Sequence, residues 1–439
     1  MRNLFKFDRS NFAGDSAGTS PVQIRLHQVV DMKKPELLIP AGSLDVLKTA
    51  VLFGADAVYI GGELFSLRAK AKNFSDEDMV EAVRFCHENG CRLYVTANIT
   101  AHNYHLEGVR AYFERLKEIG PDALIISDPG VFRYAREICP EIPVHISTQA
   151  NNVNYETFLF WYDLGVRRVV CGRELSLKEI SEIRSRIPED MEIETFVHGA
   201  MCISYSGRCL LSNYMTGRDA NLGACTHPCR WKYYLMEETR PNEYFPVEEN
   251  EDGTYIFNSK DLCMIEHIPE LCAAGIDSFK VEGRMKTALY VATVAGTYRK
   301  AIDDYTSDPS LYEKNLPLYR AEIEKCTYRS YTTGFFFEKP GPDAQIYDSQ
   351  VYERNYTYLG TIEEVRPDGT FVFEQKNKFQ TGDIIEFLTP GFTFTETVVR
   401  HMYGEDGTEV SSCPHPKEMI TAKADRVPKT GDIIRMKEE

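Results

Sequence analysis

Apolar and polar positions follow two successive patterns along this chain. From Glu36 to Gly283, short β-branched runs end in Gly, Ser, Thr or Asn, and a stretch of helical periodicity follows each run. The runs are ELLIPAG (36–42), DAVYIGG (56–62), CRLYVTAN (91–98), DALIISD (122–128), PVHIST (143–148), RRVVCG (167–172), EIETFVHG (192–199) and DSFKVEG (277–283). Helical patterns lie between them, as at Asp76–Asn89, His105–Ile119 and Leu175–Arg186. Apolar runs alternating with helices predict a parallel sheet with helical crossovers. Eight units fit a (β/α)8 TIM-like barrel of ~250 residues. A doubly wound sheet is the alternative, and the count of eight favours the barrel.

A helix at about 286–305 and a loop rich in Pro and Tyr precede a change of style. Short strands then alternate with turns: YTYLGTIEEV, GTFVFEQK, GDIIEFLT, FTETVVRHM and GDIIRMKEE. Thr381-Gly382-Asp383-Ile384-Ile385 recurs as Thr430-Gly431-Asp432-Ile433-Ile434. A turn feeding a strand, used twice, predicts a small antiparallel β-barrel. The expected organisation is a loose tail at 1–34 and a TIM-like barrel at 35–310 with a cysteine-rich insertion at 199–263. A linker at 311–345 and a C-terminal β-barrel at 346–439 complete it.

Composition narrows the setting. The 439 residues are 43% hydrophobic and 26% charged, as in an ordinary soluble protein. No transmembrane run or secretory signal is evident. Twelve cysteines without such a signal point to a reducing, cytoplasmic location. A formal charge of −16 argues against a generic nucleic-acid binder and leaves room for a local basic face.

Functional groups of such barrels project from the C-terminal strand ends. There stand Pro40-Ala41-Gly42, Gly61-Gly62, Thr96-Ala97-Asn98, Ser147-Thr148-Gln149, Cys171-Gly172-Arg173, His198-Gly199 and Glu282-Gly283-Arg284. Candidate catalytic residues are His198, Glu282 and Arg284; candidate substrate-binding residues are Gly61, Gly62, Arg68 and Gln149. Arg208, like Arg68 and Arg284, can hold a carboxylate or phosphate bidentately. A histidine hydrogen-bonded at a strand end, and a glycine serving a tight turn, are the plainer readings.

Five cysteines crowd into 202–263: Cys202, Cys209, Cys225, Cys229 and Cys263. Buried thiols, a structural zinc site and an iron–sulfur cluster all compete for them. Only Cys225/Cys229 resembles a zinc knuckle, and no ferredoxin-like spacing occurs. No G-x-S-x-G, P-loop or H-E-x-x-H pattern appears.

The stretch EIETFVHGAMCISYSGRCLLS resembles the signature of the collagenase-like, unassigned peptidase family. ELLIPAGSLDVLKTAVLFGADAVYIGG, SLRAKAKNFS, VHISTQANN, GACTHPCRWKY, NSKDLCMIEHIPEL and DSFKVEGRMKTALYVATV resemble its other blocks. Besides peptidase activity, the resemblance implies oxygen-independent hydroxylation with a 4Fe-4S cluster. Family branches act on a quinone precursor, on ribosomal RNA and on the wobble uridine of tRNA. Length and the added C-terminal domain look most like the tRNA branch, which makes 5-hydroxyuridine with prephenate-linked chemistry. By that likeness Cys202, Cys209, Cys225 and Cys263 hold the cluster, with Cys229 the alternative ligand. The implied partners are tRNA, a small dicarboxylate co-substrate (prephenate) held by Arg68 or Arg284, and a paralogous subunit. Tyr205, Tyr214 and Trp231 are candidates for stacking on a base, and the C-terminal barrel for gripping the tRNA backbone.

Overall fold

The computed structural model describes residues 33–67, 73–202, 204, 206, 208–230, 248–250, 253–255, 259–340 and 353–438. Of residues 230, 248–250 and 253–255 only the backbone is described. The tail read at 1–34, apart from Lys33 and Lys34, lies outside the described residues, as do Arg68, Tyr205 and Trp231.

Each of the eight apolar runs yields one strand: β1 Glu36–Pro40, β2 Ala57–Gly61, β3 Arg92–Ala97, β4 Ala123–Ile126, β5 Val144–Ile146, β6 Arg168–Val170, β7 Glu192–Ala200 and β8 Ser278–Val281. They pair in parallel in that order, and β8 pairs with both β1 and β7, which closes the barrel. Helices begin where a short polar side chain accepts an otherwise unpaired N–H. Ser43 accepts from Val46, Ser75 from Asp78, Asp128 from Val131, Ser176 from Glu179 and Thr287 from Tyr290.

Strand periodicity separates two cores. Leu37, Ile39, Val58, Ile60, Leu93 and Val95 face the helices. Leu38, Ala57, Tyr59, Tyr94, Ala123 and Ile125 form a separate cluster, which the alternation places inside the barrel. Charged residues share that interior. Glu36 accepts from Ser278 Oγ (2.8 Å), Tyr94 Oη (2.8 Å) and the Arg168 and Arg92 guanidiniums. Burial alone would raise the Glu36 carboxyl; Arg168, Arg92 and Tyr94 outweigh it and hold the group below its ordinary value.

The segment expected as a linker at 311–345 is largely structured. Helix Pro309–Ile323 packs on helix Ala288–Ser307. Strand Tyr331–Thr332 adds in parallel to strand Asp261–Cys263, which itself pairs antiparallel with the end of β7. The apolar spacing of this helix (Tyr312, Tyr319 and Ile323 buried) was masked in sequence by Pro309 and Pro317. Pro309 sits in the first turn, where no N–H is lost.

Six antiparallel strands close the C-terminal barrel, in the order Tyr356–Val365, Phe371–Glu374, Met419–Ala424, Thr393–Tyr403, Ile384–Thr389 and Ile433–Lys437. Sequence pattern found five; it missed MITAKA (419–424), where Ala and Lys dilute the β signal. The repeated Thr-Gly-Asp turns work alike. Asp383 accepts the Gln380 N–H (2.8 Å) and Asp432 that of Lys429 (2.8 Å), with Gly382 and Gly431 at φ 97° and 90°. Arg435, fully buried, fixes this barrel to the helices by pairing with Glu322 (2.5 Å) and Glu386. Among the described residues no helix is long and apolar enough to cross a membrane.

Candidate active site

Strand C-terminal ends meet in one pocket, lined by Tyr59, Leu67, Thr96, Asn98, Ile125, Ser147, Thr148, Gln149, Val170, Arg173, Phe196, Lys280, Glu282 and Arg284. The sequence candidates Gln149, Glu282 and Arg284 are thus brought together.

Arg284 is buried. It donates through Nη1 to Ser66 Oγ (2.7 Å) and Thr96 Oγ1 (3.2 Å), and through Nη2 to the Leu67 carbonyl. Gly61 makes room for it, since a Cβ there would collide with the Arg284 guanidinium and Ser66 Oγ. A Cβ at Gly62 would strike the Tyr112 hydroxyl. The two glycines thus make room for the Arg284 guanidinium and the Tyr112 hydroxyl.

Glu282 pairs with Arg173 (3.3 Å), whose guanidinium lies over the Phe196 ring at 3.9 Å and donates to the Ala200 carbonyl (2.7 Å). At the pocket floor Lys280 Nζ donates to the fully buried Glu194 (2.6 Å) and sits over Tyr59 at 4.5 Å. Asn98 Nδ2 donates to Ser147 Oγ (3.4 Å). Sequence reasoning passed over Lys280 and Glu194. Their signal was a charge at an inward position of an otherwise apolar strand, a placement that demands a partner. Three cations, one carboxylate and several amides and hydroxyls line this pocket, and it is therefore polar and hydrogen-bonding in character.

The structure removes His198 from this pocket. The β7–β8 register slips between Phe196 and His198, because β7 holds an extra residue there. The ring turns toward Tyr290, Tyr298 and Tyr331, with Nδ1 3.5 Å from Tyr298 Oη. Burial holds it down to about 3, so it is neutral. The plainer reading, a histidine hydrogen-bonded at a strand end, is the one observed.

Cys202, Cys209, Cys225 and Cys229 all lie on the excursion that leaves β7, and they are exposed or half-buried. That excursion is tied to the barrel rim. Ser206 N–H donates to Glu174 (2.8 Å), Arg208 Nε to Asn151 Oδ1 (2.7 Å) and Thr100 N–H to the Asn221 carbonyl (3.1 Å). Cys225 Sγ accepts the His227 N–H at 3.4 Å. Cys263 lies elsewhere, opposite His198 in the strand register. Burial pushes its thiol up to about 12, against the influence of the Ile265 backbone and of Tyr298. By donor chemistry the four loop thiols suit a soft metal. As placed, no three His, Cys, Asp or Glu residues enclose one among the described residues.

A closed (β/α)8 barrel with a cationic mouth, a thiol-bearing loop beside it and a second β-barrel behind defines the class. The model of Peptidase family U32 matches residues 42–346, and that of the family's C-terminal domain matches 354–435. The chain belongs to Peptidase family U32. It is 41% identical over 396 residues to tRNA hydroxylation protein P1 of Bacillus subtilis, covering 90% of this chain and 93% of that one. It is 44% identical over 305 residues to an uncharacterized protease of Methanocaldococcus jannaschii, covering 69% and 73%. The 23S rRNA 5-hydroxycytidine C2501 synthase of Escherichia coli is 37% identical over 274 residues, covering 62% of this chain and 40% of that one.

Proposed function

We propose that the chain is an RNA-modifying hydroxylase that converts the wobble uridine of tRNA to 5-hydroxyuridine in the cytoplasm. The observation that carries this reading is the 41% identity, over nine-tenths of the chain, to a tRNA hydroxylation protein. The barrel mouth suits the work. Arg284, Arg173 and Lys280 offer donors to a dicarboxylate co-substrate, for which prephenate is our proposal. A wobble base in a single-stranded loop is cheaply unstacked to reach such a mouth. Tyr59 and Phe196 supply apolar walls against which a planar group can lie.

We assign a 4Fe-4S cluster to Cys202, Cys209 and Cys225, completed by Cys263 or Cys229. When bound it would supply redox-active or Lewis-acidic iron beside the mouth. The protein's own part is to bind and orient: Lys280 is held by Glu194 and Arg173 by Glu282, so neither cation needs to reorganise when an anion arrives. Against the peptidase reading stands the placement of His198: the histidine nearest Cys202 in sequence is packed among tyrosines.

Nucleoside mass spectrometry of tRNA from a strain deleted for this gene and any paralogue tests the reading. Loss of 5-hydroxyuridine-derived nucleosides is expected, and unchanged levels overturn it. Anaerobically purified protein should be brown with broad visible absorption. Cys202→Ala or Cys209→Ala should abolish both colour and modification; a colourless protein holding stoichiometric zinc overturns the cluster.

A further inference from the structure

The cysteine excursion contains a short helix, Leu211–Thr216, whose polarity is inverted. Its buried side is made of hydroxyls. Ser212, fully buried, donates to the Arg218 carbonyl (2.7 Å) and accepts the Thr226 N–H (3.1 Å). Thr216 Oγ1 donates to the Ser212 carbonyl (2.7 Å) and lies 3.2 Å from Thr226 Oγ1. Large apolar groups stand beside Asn213 on its solvent side: the N-cap Leu210 is 70% exposed, Tyr214 84% and Met215 40%. Leu210 and Tyr214, four residues apart, share one face. A surface helix ordinarily does the reverse, and a contiguous exposed apolar patch marks a binding site.

Charge selects the occupant. Arg208 and Arg218 flank the patch and both are exposed. Arg208 Nε is bonded to the neutral Asn151. In a chain of formal charge −16 this is a local cationic spot around an exposed aromatic ring. An aromatic face between arginines is the chemistry that holds a single-stranded nucleic acid: the ring stacks on a base and the guanidiniums take the flanking phosphates. The excursion is tied to the loops of the barrel rim through Ser206, Arg208 and Asn221, on the same side as the mouth.

We infer that Arg208, Tyr214 and Arg218 form a platform for the unpaired RNA that flanks the nucleotide entering the barrel. This rests on the RNA-modifying reading and adds to it the element that grips the strand. Affinity of the full-length, anaerobically prepared protein for a fluorescent anticodon stem-loop transcript, against the same sequence annealed as a full duplex, tests it. Tyr214→Ala should weaken stem-loop binding about tenfold, within the ~1–3 kcal/mol that a stacked base is worth. Tyr214→Trp should preserve it. Arg208→Ala and Arg218→Ala should each lower the slope of log affinity against log salt by about 0.7. Wild-type protein that binds and modifies the stem-loop while Tyr214→Ala binds equally well overturns the platform alone. Equal losses on stem-loop and duplex also overturn it, as does a change in oligomeric state, which would mark the patch as a contact between copies. Wild-type protein that neither binds nor modifies RNA overturns platform and function together.

Discussion

The pocket wall and the cysteine excursion are neighbours built on opposite plans. In the wall, charged groups are buried or half-buried and held by partners far away in sequence: Lys280 by Glu194, Arg173 by Glu282, Arg284 by Ser66 and Thr96. In the excursion, hydroxyls are buried while Leu210, Tyr214 and two arginines face water. A preorganised wall fits a small ligand that must be held without reorganisation. An inverted helix is complete only when something covers it. On the function proposed above, the contrast would put a small co-substrate against the wall and the RNA on the excursion.

The largest effect should come from the wall. Arg284→Ala removes a buried cation from hydrogen bonds to β3 and the β2 loop. It should lower the rate of modification about 100-fold or more, close to 3 kcal/mol. Visible absorption and stem-loop affinity should remain, since Arg284 touches neither the loop thiols nor the proposed platform. Arg284→Lys should not restore activity, because an ammonium cannot reproduce the forked geometry. Activity within a few-fold of wild type would remove Arg284 from the ligand's seat.

An intermediate effect should come from the hydroxyl clasp. Ser212→Ala leaves the Thr226 N–H and the Arg218 carbonyl without their partner. The cost should be about 1–3 kcal/mol, confined to the excursion. Hydrogen exchange should quicken across residues 208–226, with the melting of the barrel unchanged. If exchange quickens equally in β1 to β8, the excursion is part of the barrel's cooperative unit and the comparison fails.

The degree to which these two regions could be read in sequence follows from how local their causes are. Strand alternation and caps act over a few residues, so eight runs gave eight strands and Ser43, Ser75 and Ser176 mark helix starts. Rim residues are fixed by strand ends, which is why Gln149, Glu282 and Arg284 meet. His198 was misplaced because a bulge in β7 shifts the phase of side chains, and a bulge leaves no mark in a hydrophobic pattern. That Gly61 and Gly62 make room for Arg284 and Tyr112 could not be read locally, because those side chains come from far along the chain. The helix Leu211–Thr216 shows an apolar stripe in sequence, and only the packing of Ser212 reveals that the stripe faces out.

The smallest effect at neutral pH concerns His145, a buried group whose Nδ1 lacks a partner among the described residues. His145 lies on β5 between Val144 and Ile146, which face the helices, so its ring points into the barrel, edge-on to Tyr94 at 4.7 Å. Burial, then the positive charges of Arg168, Lys280 and Arg92, hold it well below its ordinary 6.5. The unfolded chain therefore takes up this proton first as pH falls. Stability from a neutral His145 is fully present above about 6.5 and is lost below it, at up to about 1.4 kcal/mol per pH unit. His145→Phe should remove that component, so that urea midpoints of wild type and variant diverge between about pH 7 and about pH 5, with the variant falling less. Parallel curves over that range would mean that His145 titrates alike in folded and unfolded chains, and that the barrel interior beneath the wall is wetter than its ion pairs imply.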